Sequence, residues 1–353
     1  MTRMRRVAVD LFCGIGGLTK GLSMAGIDVV AGYDIDGTCR FPYETNNGGS
    51  FIEKNVEDIS KEEINRWLPA DAVRMIVGCA PCQPFSRYSL RYRKDGHKDN
   101  KWKLLYSFAR IVRECQPDIV SMENVPSLEK EEVFIDFVTE LEKHDYFVEW
   151  RVVYCPEYGV PQKRKRLVLL ASRFGQIRMI EPLYVPEEYR TVRMAIGDLP
   201  AIRDGEICPT DNMHRASRLS PLNLRRIQQS VPGGTWRDWD KELQLECHGK
   251  KSGKTYGSVY GRMCWDEPSP TITTQFYGYG NGRFGHPEQD RAISLREGAL
   301  LQSFPENYVF TDENHQLHKR EVGVHVGNAV PVELGHAIGI SIQRHLDEFI
   351  GEE

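Results

Sequence analysis

Short apolar runs alternate with segments of helical spacing through the first half of the chain. The runs with the length and composition of buried strands cover residues 7–12, 27–33, 73–77, 118–122 and 167–171. Between the third and fourth runs, and again after the fourth, apolar residues recur at intervals of three and four, as in amphipathic helices. This alternation predicts an α/β fold with a doubly wound, mostly parallel sheet, in which ligands bind beyond the carboxyl ends of the strands.

The alternation stops near Phe174, and the segment that follows is rich in Gly, Pro, Trp and Arg without a clear period. Helical spacing returns at Ser294, and the C-terminal tail has an amphipathic pattern expected to pack on the first domain. A chain of 353 residues exceeds the usual size of one hydrophobic core. We therefore predict a first domain in residues 1–190, completed by 320–353, and a second, smaller, loop-rich domain with a hinge in 191–319.

Composition narrows the class of protein. The nine cysteines are an odd number without the spacing of a small disulfide scaffold, and no export signal follows the basic start of the chain. These features indicate reduced thiols and a cytoplasmic protein. No apolar run approaches membrane-spanning length, so no membrane association is expected.

Charge is distributed unevenly along the chain. The formal net charge of -4 says little about nucleic acid, but residues 214–262 hold ten Lys or Arg against four Asp or Glu. Such a block is in general more often a solvated surface than a binding face. Here Trp, Tyr and Gly residues are interleaved with it, which favours a nucleic-acid-binding surface.

A glycine-rich loop, DLFCGIGGL, occupies residues 10–18 after the first predicted strand. It lacks the dinucleotide fingerprint because Thr19 stands where the third glycine would be, so an adenosyl ligand without a pyrophosphate fits better. Asp34, at the end of the second strand, is placed to accept hydrogen bonds from ribose hydroxyls. Asp58 follows a later loop and is placed to face an adenine amino group. Taken alone, either acid is more typical of a helix cap.

The pair Cys79-x-x-Cys82 follows the third strand. A zinc site would need a second ligand pair at metal spacing, which the chain lacks, so no metal is expected. Pro81 and Pro84 favour an extended segment, which suits presentation of a single nucleophile, Cys82, better than the helix start of a thioredoxin-like motif. We interpret Cys79 as a small apolar filler at the strand end.

Glu123 comes directly after the fourth strand, at the edge of the sheet where Cys82 is also expected. A buried, protonated carboxyl at this place can donate to a ring nitrogen and make the adjacent carbon electrophilic. Alone, Glu123 could equally be a helix cap or a loop acid. Its position beside Cys82 favours a catalytic role.

Six motifs occur in a fixed order that spans nearly the whole chain. They are DLFCGIGG at 10–17, PCQPFS at 81–86, ENV at 123–125, QKRKR at 162–166, REGALLQSFP at 296–305 and GNAVP at 327–331. Together they resemble the DNA cytosine 5-methyltransferases, in particular those of bacterial restriction–modification systems. The resemblance implies a Rossmann-like, S-adenosylmethionine-dependent methyltransferase fold, with residues 191–319 acting as target-recognition domain and hinge.

The resemblance also implies residue roles. Cys82 adds covalently to carbon 6 of a flipped cytosine, Glu123 engages ring nitrogen 3, and S-adenosylmethionine methylates carbon 5 and becomes S-adenosylhomocysteine. Arg164 and Arg166 contact the base carbonyl and hold the catalytic groups. The expected cofactor-binding residues are Phe12, Gly14, Ile15, Gly16, Asp34, Ile35, Asp58, Ile59, Pro81, Leu104 and Asn328. Asp34 departs from the family pattern, which usually has Glu at this position.

Double-stranded DNA is the implied substrate, and residues 87–98 match the family's catalytic loop. The expected DNA-contacting residues are Ser86, Arg87, Lys250, Lys251, Lys254, Tyr256, Arg262, Thr271 and Thr273. A monomer that works beside a separate restriction endonuclease is expected. The alternatives are a tRNA cytosine methyltransferase of the same fold, a thiol redox protein using Cys79 and Cys82, and a DNA-binding regulator without catalysis.

Overall fold

The structure is a computed structural model that describes residues 4–81, 103–250, 257–312 and 317–350. Six residues singled out in the sequence lie outside these ranges: Cys82, Ser86, Arg87, Lys251, Lys254 and Tyr256. In the described ranges no helix is both long enough and apolar enough to cross a membrane.

Two compact units make up the chain. The first comprises Met1–Tyr158, Lys165–Leu183 and Val330–Glu353 and contains a seven-stranded sheet. Its strands are β1 (Arg6–Leu11), β2 (Asp28–Asp34), β3 (Ser50–Glu53), β4 (Val73–Gly78), β5 (Ile119–Asn124), β6 (Phe147–Tyr154) and β7 (Lys165–Ser172). Its helices are α1 (Gly17–Met24), α2 (Arg40–Asn46), α3 (Lys61–Trp67), α4 (Lys103–Cys115), α5 (Glu132–Lys143) and, at the end of the chain, α10 (Val332–Ile350).

The sheet has the order β3-β2-β1-β4-β5-β7-β6, and only β7 runs antiparallel to its neighbours. The prediction of a mostly parallel α/β sheet is confirmed, and all five predicted runs are strands. Strands β3 and β6 were missed because β3 has only four residues and β6 is a half-exposed edge strand without a continuous apolar run. Parallel pairing places the carboxyl ends of β1, β2, β4 and β5 at one edge of the sheet.

The core of this unit lies between the sheet and the helices on its faces. Every residue of β1 is buried, as expected for a central parallel strand that is covered on both sides. Helices α4 and α5 share one face, where the rings of Phe108 and Phe137 meet edge to face with centroids 5.6 Å apart. The apolar stripes of both helices, predicted from their spacing, are buried here.

Helix α10 packs against α1, which confirms that the amphipathic tail returns to the first unit. Glycines make the close approach of the two helices possible, since a Cβ at Gly21 would collide with the carbonyl oxygen of Val332. Further along α10, a Cβ at Gly339 would collide with the side chain of Ala25, the residue that follows α1. The residues of α10 that form the buried stripe include Leu334, Ala337, Ile338, Ile342 and Leu346.

The second unit comprises Gly159–Arg164 and Tyr184–Ala329. Its regular elements are α6 (Val192–Ile196), β8 (Ile207–Cys208), β9 (Asp211–Arg215), α7 (Pro221–Gln229), α8 (Leu295–Leu301) and α9 (Lys319–Asn328). One of its cores is aromatic and includes Trp236, Trp239 and Tyr279. The units divide at residues 183/184 and 329/330, whereas the sequence-based domains divide at 190 and 320.

Candidate active site

The loop after β1 has an unusual backbone. Phe12, Gly14 and Gly16 have φ values of 62°, 50° and 84°, all in the left-handed region that glycine favours. Phe12 adopts it as a non-glycine residue, which turns the chain sharply away from the strand. A Cβ at Gly14 would meet no atom within 4 Å, so the space beside the loop is open to a ligand.

Asp34 at the end of β2 braces this loop. Its carboxylate accepts the backbone N–H of Gly14 at 2.8 Å and that of Asp36 at 3.0 Å. Burial raises the pKa of Asp34, although the backbone hydrogen bonds oppose this shift. The shorter acid at this position thus holds the glycine loop directly.

The neighbouring positions offer a surface for an adenosyl group. The side chain of Ile35 is 69% exposed, and Asp58 is exposed at the end of the 3-10 turn Val56–Asp58. Ile15 and Ile59 are buried in the core, so neither contributes to this exposed surface. The open loop, the apolar face and the two acids fit an adenosyl ligand that carries no phosphate.

Arg110 on α4 was not found from the sequence. Its Nη2 lies 3.3, 3.2 and 3.0 Å from the carbonyl oxygens of Val56, Glu57 and Ile59. This one guanidinium therefore holds the turn that carries Asp58. The sequence has no signal for such a role, because Arg110 lies at the polar boundary of an ordinary amphipathic helix.

Asp10 is a second residue that sequence reasoning did not assign. It is buried at the end of β1, where its Oδ2 accepts the Thr19 hydroxyl at 2.7 Å. Burial raises the pKa of Asp10 to about 7, more than the Thr19 hydrogen bond lowers it. Asp10 thus links β1 to α1 directly beneath the glycine loop.

The ends of β4 and β5 lie side by side at the carboxyl edge of the sheet. Glu123 on β5 is 2% exposed, and its two carboxylate oxygens have different partners. Arg166 Nε on β7 lies 2.7 Å from Oε1, and the Cys79 thiol donates to Oε2 with a sulfur–oxygen distance of 2.8 Å. The next residue, Asn124, donates from Nδ2 to the carbonyl oxygen of Ala80 at 3.0 Å. The segment that leads into Cys82 is thereby tied to the strand that carries Glu123.

Two sequence-based interpretations change at this edge. Cys79 is not an apolar filler, because its thiol contacts the Glu123 carboxylate. Arg164 and Arg166 were expected to act together, yet Arg164 belongs to the second unit. There it is buried and donates to the carbonyl oxygen of Ile272 at 3.1 Å.

A buried amide network in the second unit connects three of the motifs. Gln162 donates from Nε2 to Oε1 of Gln302 at 2.9 Å and accepts the backbone N–H of Ile272 at 2.8 Å. Gln302 in turn donates to the carbonyl oxygen of Val326 at 2.7 Å. Gly327 packs on the backbone of Thr273, with which a Cβ would collide. Membership in the motifs was the only sequence signal for these glutamines.

The predicted DNA-contacting residues of the second unit have different environments. Lys250 and Thr273 are exposed, whereas the Thr271 hydroxyl donates to the carbonyl oxygen of Lys163 at 2.9 Å. Arg262 is buried, and its guanidinium donates to the carbonyl oxygens of Ile227, Ser230, His286 and Gln289 and to Asp290. The expectation that Arg262 contacts DNA is therefore corrected, because its donors already have partners inside the unit.

The remaining predicted cofactor residues are placed as follows. Pro81 is exposed after β4, and Leu104 is half-buried in the first turn of α4. Asn328 is exposed at the end of α9, in the second unit. Cys82, the predicted nucleophile, lies outside the described residues.

A glycine loop after β1, an acid after β2 and a seven-stranded sheet with one antiparallel strand define an S-adenosylmethionine-dependent methyltransferase fold. The crystal structure of S. pombe Dnmt2 methyltransferase shares this fold, with a TM-score of 0.60 at 16% identity over 97% of this chain and 99% of that one.

Sequence similarity is more specific than the fold. The family model for C-5 cytosine-specific DNA methylase matches residues 7–344. The type II methylase M.HgiDII of Herpetosiphon aurantiacus is 54% identical over 342 residues, which cover 96% of this chain and 95% of the relative. The type II methyltransferase M.Eco47II of Escherichia coli is 31% identical, covering 96% and 79%.

The chain therefore belongs to the C-5 cytosine-specific DNA methylase family. It is a DNA (cytosine-5)-methyltransferase that uses S-adenosylmethionine, as the motif order predicted.

Proposed function

We propose that this enzyme methylates carbon 5 of a cytosine that is flipped out of duplex DNA at a specific sequence, through a covalent Cys82 adduct. One observation carries the proposal. The buried Glu123 carboxylate lies between Arg166 and Cys79, at the strand edge from which the chain runs directly into Pro81 and Cys82. A base must leave the stack to reach such a site, at a cost of a few kcal/mol.

The cofactor is held by residues at the same edge of the sheet. The backbone turn at Phe12 and Gly14 admits the ligand, and Phe12 and Ile35 present apolar faces to adenine. Asp34 and Asp58 accept from the ribose hydroxyls and the adenine amino group. S-adenosylmethionine supplies an electrophilic methyl group on a sulfonium.

The chemical steps then follow from Cys82 and Glu123. The Cys82 thiolate adds to carbon 6 of cytosine, and the electron pair of the ring double bond moves toward carbon 5. Glu123 holds a proton at ring nitrogen 3 and stabilises the charge that develops in the ring. Carbon 5 thereby becomes nucleophilic toward the methyl group that S-adenosylmethionine would supply. Loss of the carbon 5 proton restores the double bond and expels the thiolate.

DNA binding is proposed for the second unit and the loop after Cys82. Exposed Lys250 neutralises phosphate charge, and the Thr273 hydroxyl contacts the backbone and sets register without reading sequence. Ser86, Arg87, Lys251, Lys254 and Tyr256, which lie outside the described residues, are proposed to contact DNA as well. The enzyme is proposed to act as a monomer beside a separate restriction endonuclease.

The second candidate substrate is tRNA, which an enzyme of this fold could methylate by the same steps. Duplex DNA is favoured because relatives that match almost the whole chain are named as type II methylases. The experiment that separates the two uses methyl-labelled S-adenosylmethionine with duplex DNA or with tRNA, followed by mapping of the label. Label at carbon 5 of cytosine, confined to one recurring DNA sequence, is expected. Label in tRNA alone would overturn the substrate assignment.

The covalent step has its own test. Cys82→Ser should lower the single-turnover rate by at least roughly 1,000-fold, since a hydroxyl is a much weaker nucleophile than a thiolate. Cys115→Ser, at a buried thiol on α4, is the matched control and should retain activity. A duplex with 5-fluorocytosine at the target should trap the wild-type enzyme, because fluorine cannot leave as a proton does. An enzyme that methylates DNA but forms no adduct would contradict the mechanism.

A further inference from the structure

Cys79 lies three residues before the proposed nucleophile, and its contact with Glu123 has no part in the mechanism above. We propose that Cys79 is a positioning residue that orients the Glu123 carboxyl for the cytosine reaction. The inference rests on the proposed function of Glu123. It starts from the 2.8 Å distance between the Cys79 sulfur and Glu123 Oε2.

The backbone around Cys79 is held on both sides. A Cβ at Gly78 would collide with the carbonyl oxygen of Leu11, so the end of β4 lies tightly against β1. On the other side, Asn124 donates to the Ala80 carbonyl oxygen at 3.0 Å. With Gly78 and Ala80 both held, the backbone of Cys79 has a fixed position beside Glu123.

The carboxylate has a neighbour at each oxygen, an ion-pair contact at Oε1 and a hydrogen bond at Oε2. In the part of the chain that the structure describes, the charged or titratable groups that contact Glu123 are Arg166 from β7 and Cys79 from the end of β4. Arg166 approaches Oε1 and Cys79 approaches Oε2, so the plane of the carboxyl is defined by two partners. Removing the thiol leaves only one of them.

The two partners differ in their chemistry. Arg166 is a cation, whereas a thiol is a weak donor and also a weak acceptor. Cys79 can therefore keep its contact with Glu123 whether the carboxyl is charged or carries a proton. A hydroxyl at position 79 would be a stronger donor to the carboxylate, and an alanine would donate nothing to it.

The test measures single-turnover methyl transfer to duplex DNA between pH 6 and 9. The relevant limb of the profile is the one that Glu123→Gln abolishes. Cys79→Ala should move its midpoint upward by about half to one pH unit, and Cys79→Ser should move it downward, because the donor strengths differ in this order. The rate of Cys79→Ala should also fall about tenfold, with KM for both substrates unchanged within about twofold.

A double-mutant cycle separates positioning from a general loss of structure. In the Glu123→Gln background, Cys79→Ala should change the rate less than about twofold, because the carboxyl it orients is absent. Cys115→Ala is the matched control, since its buried sulfur lies 4.0 Å from the Lys61 carbonyl oxygen and does not contact Glu123. Equal effects of Cys79→Ala in both backgrounds, or an unshifted midpoint, would overturn the proposal.

A second readout does not depend on turnover. With glutamate labelled at the side-chain carboxyl carbon, the NMR signal absent from Glu123→Gln reports the titration of Glu123 itself. Its midpoint should follow the order alanine, cysteine, serine from high to low pH. If the variants show this order but the protein methylates nothing, the proposed function is wrong, whereas the contact between Cys79 and Glu123 is still supported. If Cys79→Ala does not fold, the same measurements on Cys79→Ser test the proposal, and the expected shift of the midpoint is then downward.

Discussion

The Asp34 carboxylate accepts the backbone N–H of Gly14 at 2.8 Å, so the acid after β2 and the glycine loop after β1 form one structural element. The two residues are 20 positions apart: Asp34 ends β2, and Gly14 lies in the loop after β1, the parallel strand next to β2. A side chain expected only to bind ribose therefore also holds the glycine loop after β1 in its conformation.

Asp34→Ala should weaken the binding of S-adenosylhomocysteine by roughly 10- to 100-fold, because the loop loses a charge-assisted hydrogen bond and the ligand loses an acceptor. Isothermal titration calorimetry measures this directly. Asp28→Asn is the matched control, since Asp28 lies at the other end of β2 in an exposed ion pair with Arg5. Affinities that agree within twofold across all three proteins would remove Asp34 from the site.

Asp10 predicts a specific dependence of stability on pH. Its folded-state pKa, about 7, lies above the ordinary value of 3.8, so the folded protein retains a proton that the unfolded chain has lost. The contribution of Asp10 to the free energy of unfolding therefore falls as the pH rises from about 4 to about 7, and it stays low above that.

Asp10→Asn removes this titration. Relative to wild type, the variant should gain stability between pH 4 and 8, by on the order of 2–4 kcal/mol, since one pKa unit corresponds to about 1.36 kcal/mol. Urea unfolding at several pH values gives the difference, in which the contributions of other groups cancel. A difference that does not vary with pH would show that Asp10 is not the titrating group.

Arg166 pairs with the buried Glu123 carboxylate. Removing the cation should therefore destabilise the protein, and neutralising the acid as well should restore stability. Arg166→Ala leaves a buried carboxylate without its cation and should lower the free energy of unfolding by about 3 kcal/mol. Arg166→Ala combined with Glu123→Gln should recover much of this loss. Lys165→Ala, at the exposed neighbouring position on β7, should change stability by less than about 0.5 kcal/mol. A double variant no more stable than Arg166→Ala alone would argue against the pair.

Substitutions of Arg262 and Lys250 should affect different properties. The first should change the stability of the second unit, and the second should change DNA binding. Arg262→Ala leaves several buried carbonyl oxygens without donors and should destabilise the second unit by roughly 3 kcal/mol or more in urea unfolding. Lys250→Ala should leave stability unchanged and reduce the salt dependence of DNA affinity by about one phosphate contact. Full stability of Arg262→Ala together with weakened DNA binding would restore the original expectation for Arg262.

Much of this protein is determined locally by its sequence. The five apolar runs predicted as strands are strands. Four of them lie in the parallel part of the sheet and the fifth is the antiparallel strand β7, and strands in the middle of a sheet that is covered on both faces are continuously apolar. The stripe of α10 is equally local, since its spacing shows which face is buried. The order of the six motifs was sufficient to indicate the family.

Contacts between distant residues were decided only by the tertiary structure. Cys79 and Glu123 are 44 positions apart, and they meet because β4 and β5 are neighbours with Gly78 opposite Met122. Arg262 looked like a surface cation because a basic residue among glycines and aromatics carries no local sign of burial. Periodicity reports whether a position is buried, but strand order and register decide which side chain it meets, and for that reason the Cys79 thiol lies beside the Glu123 carboxylate.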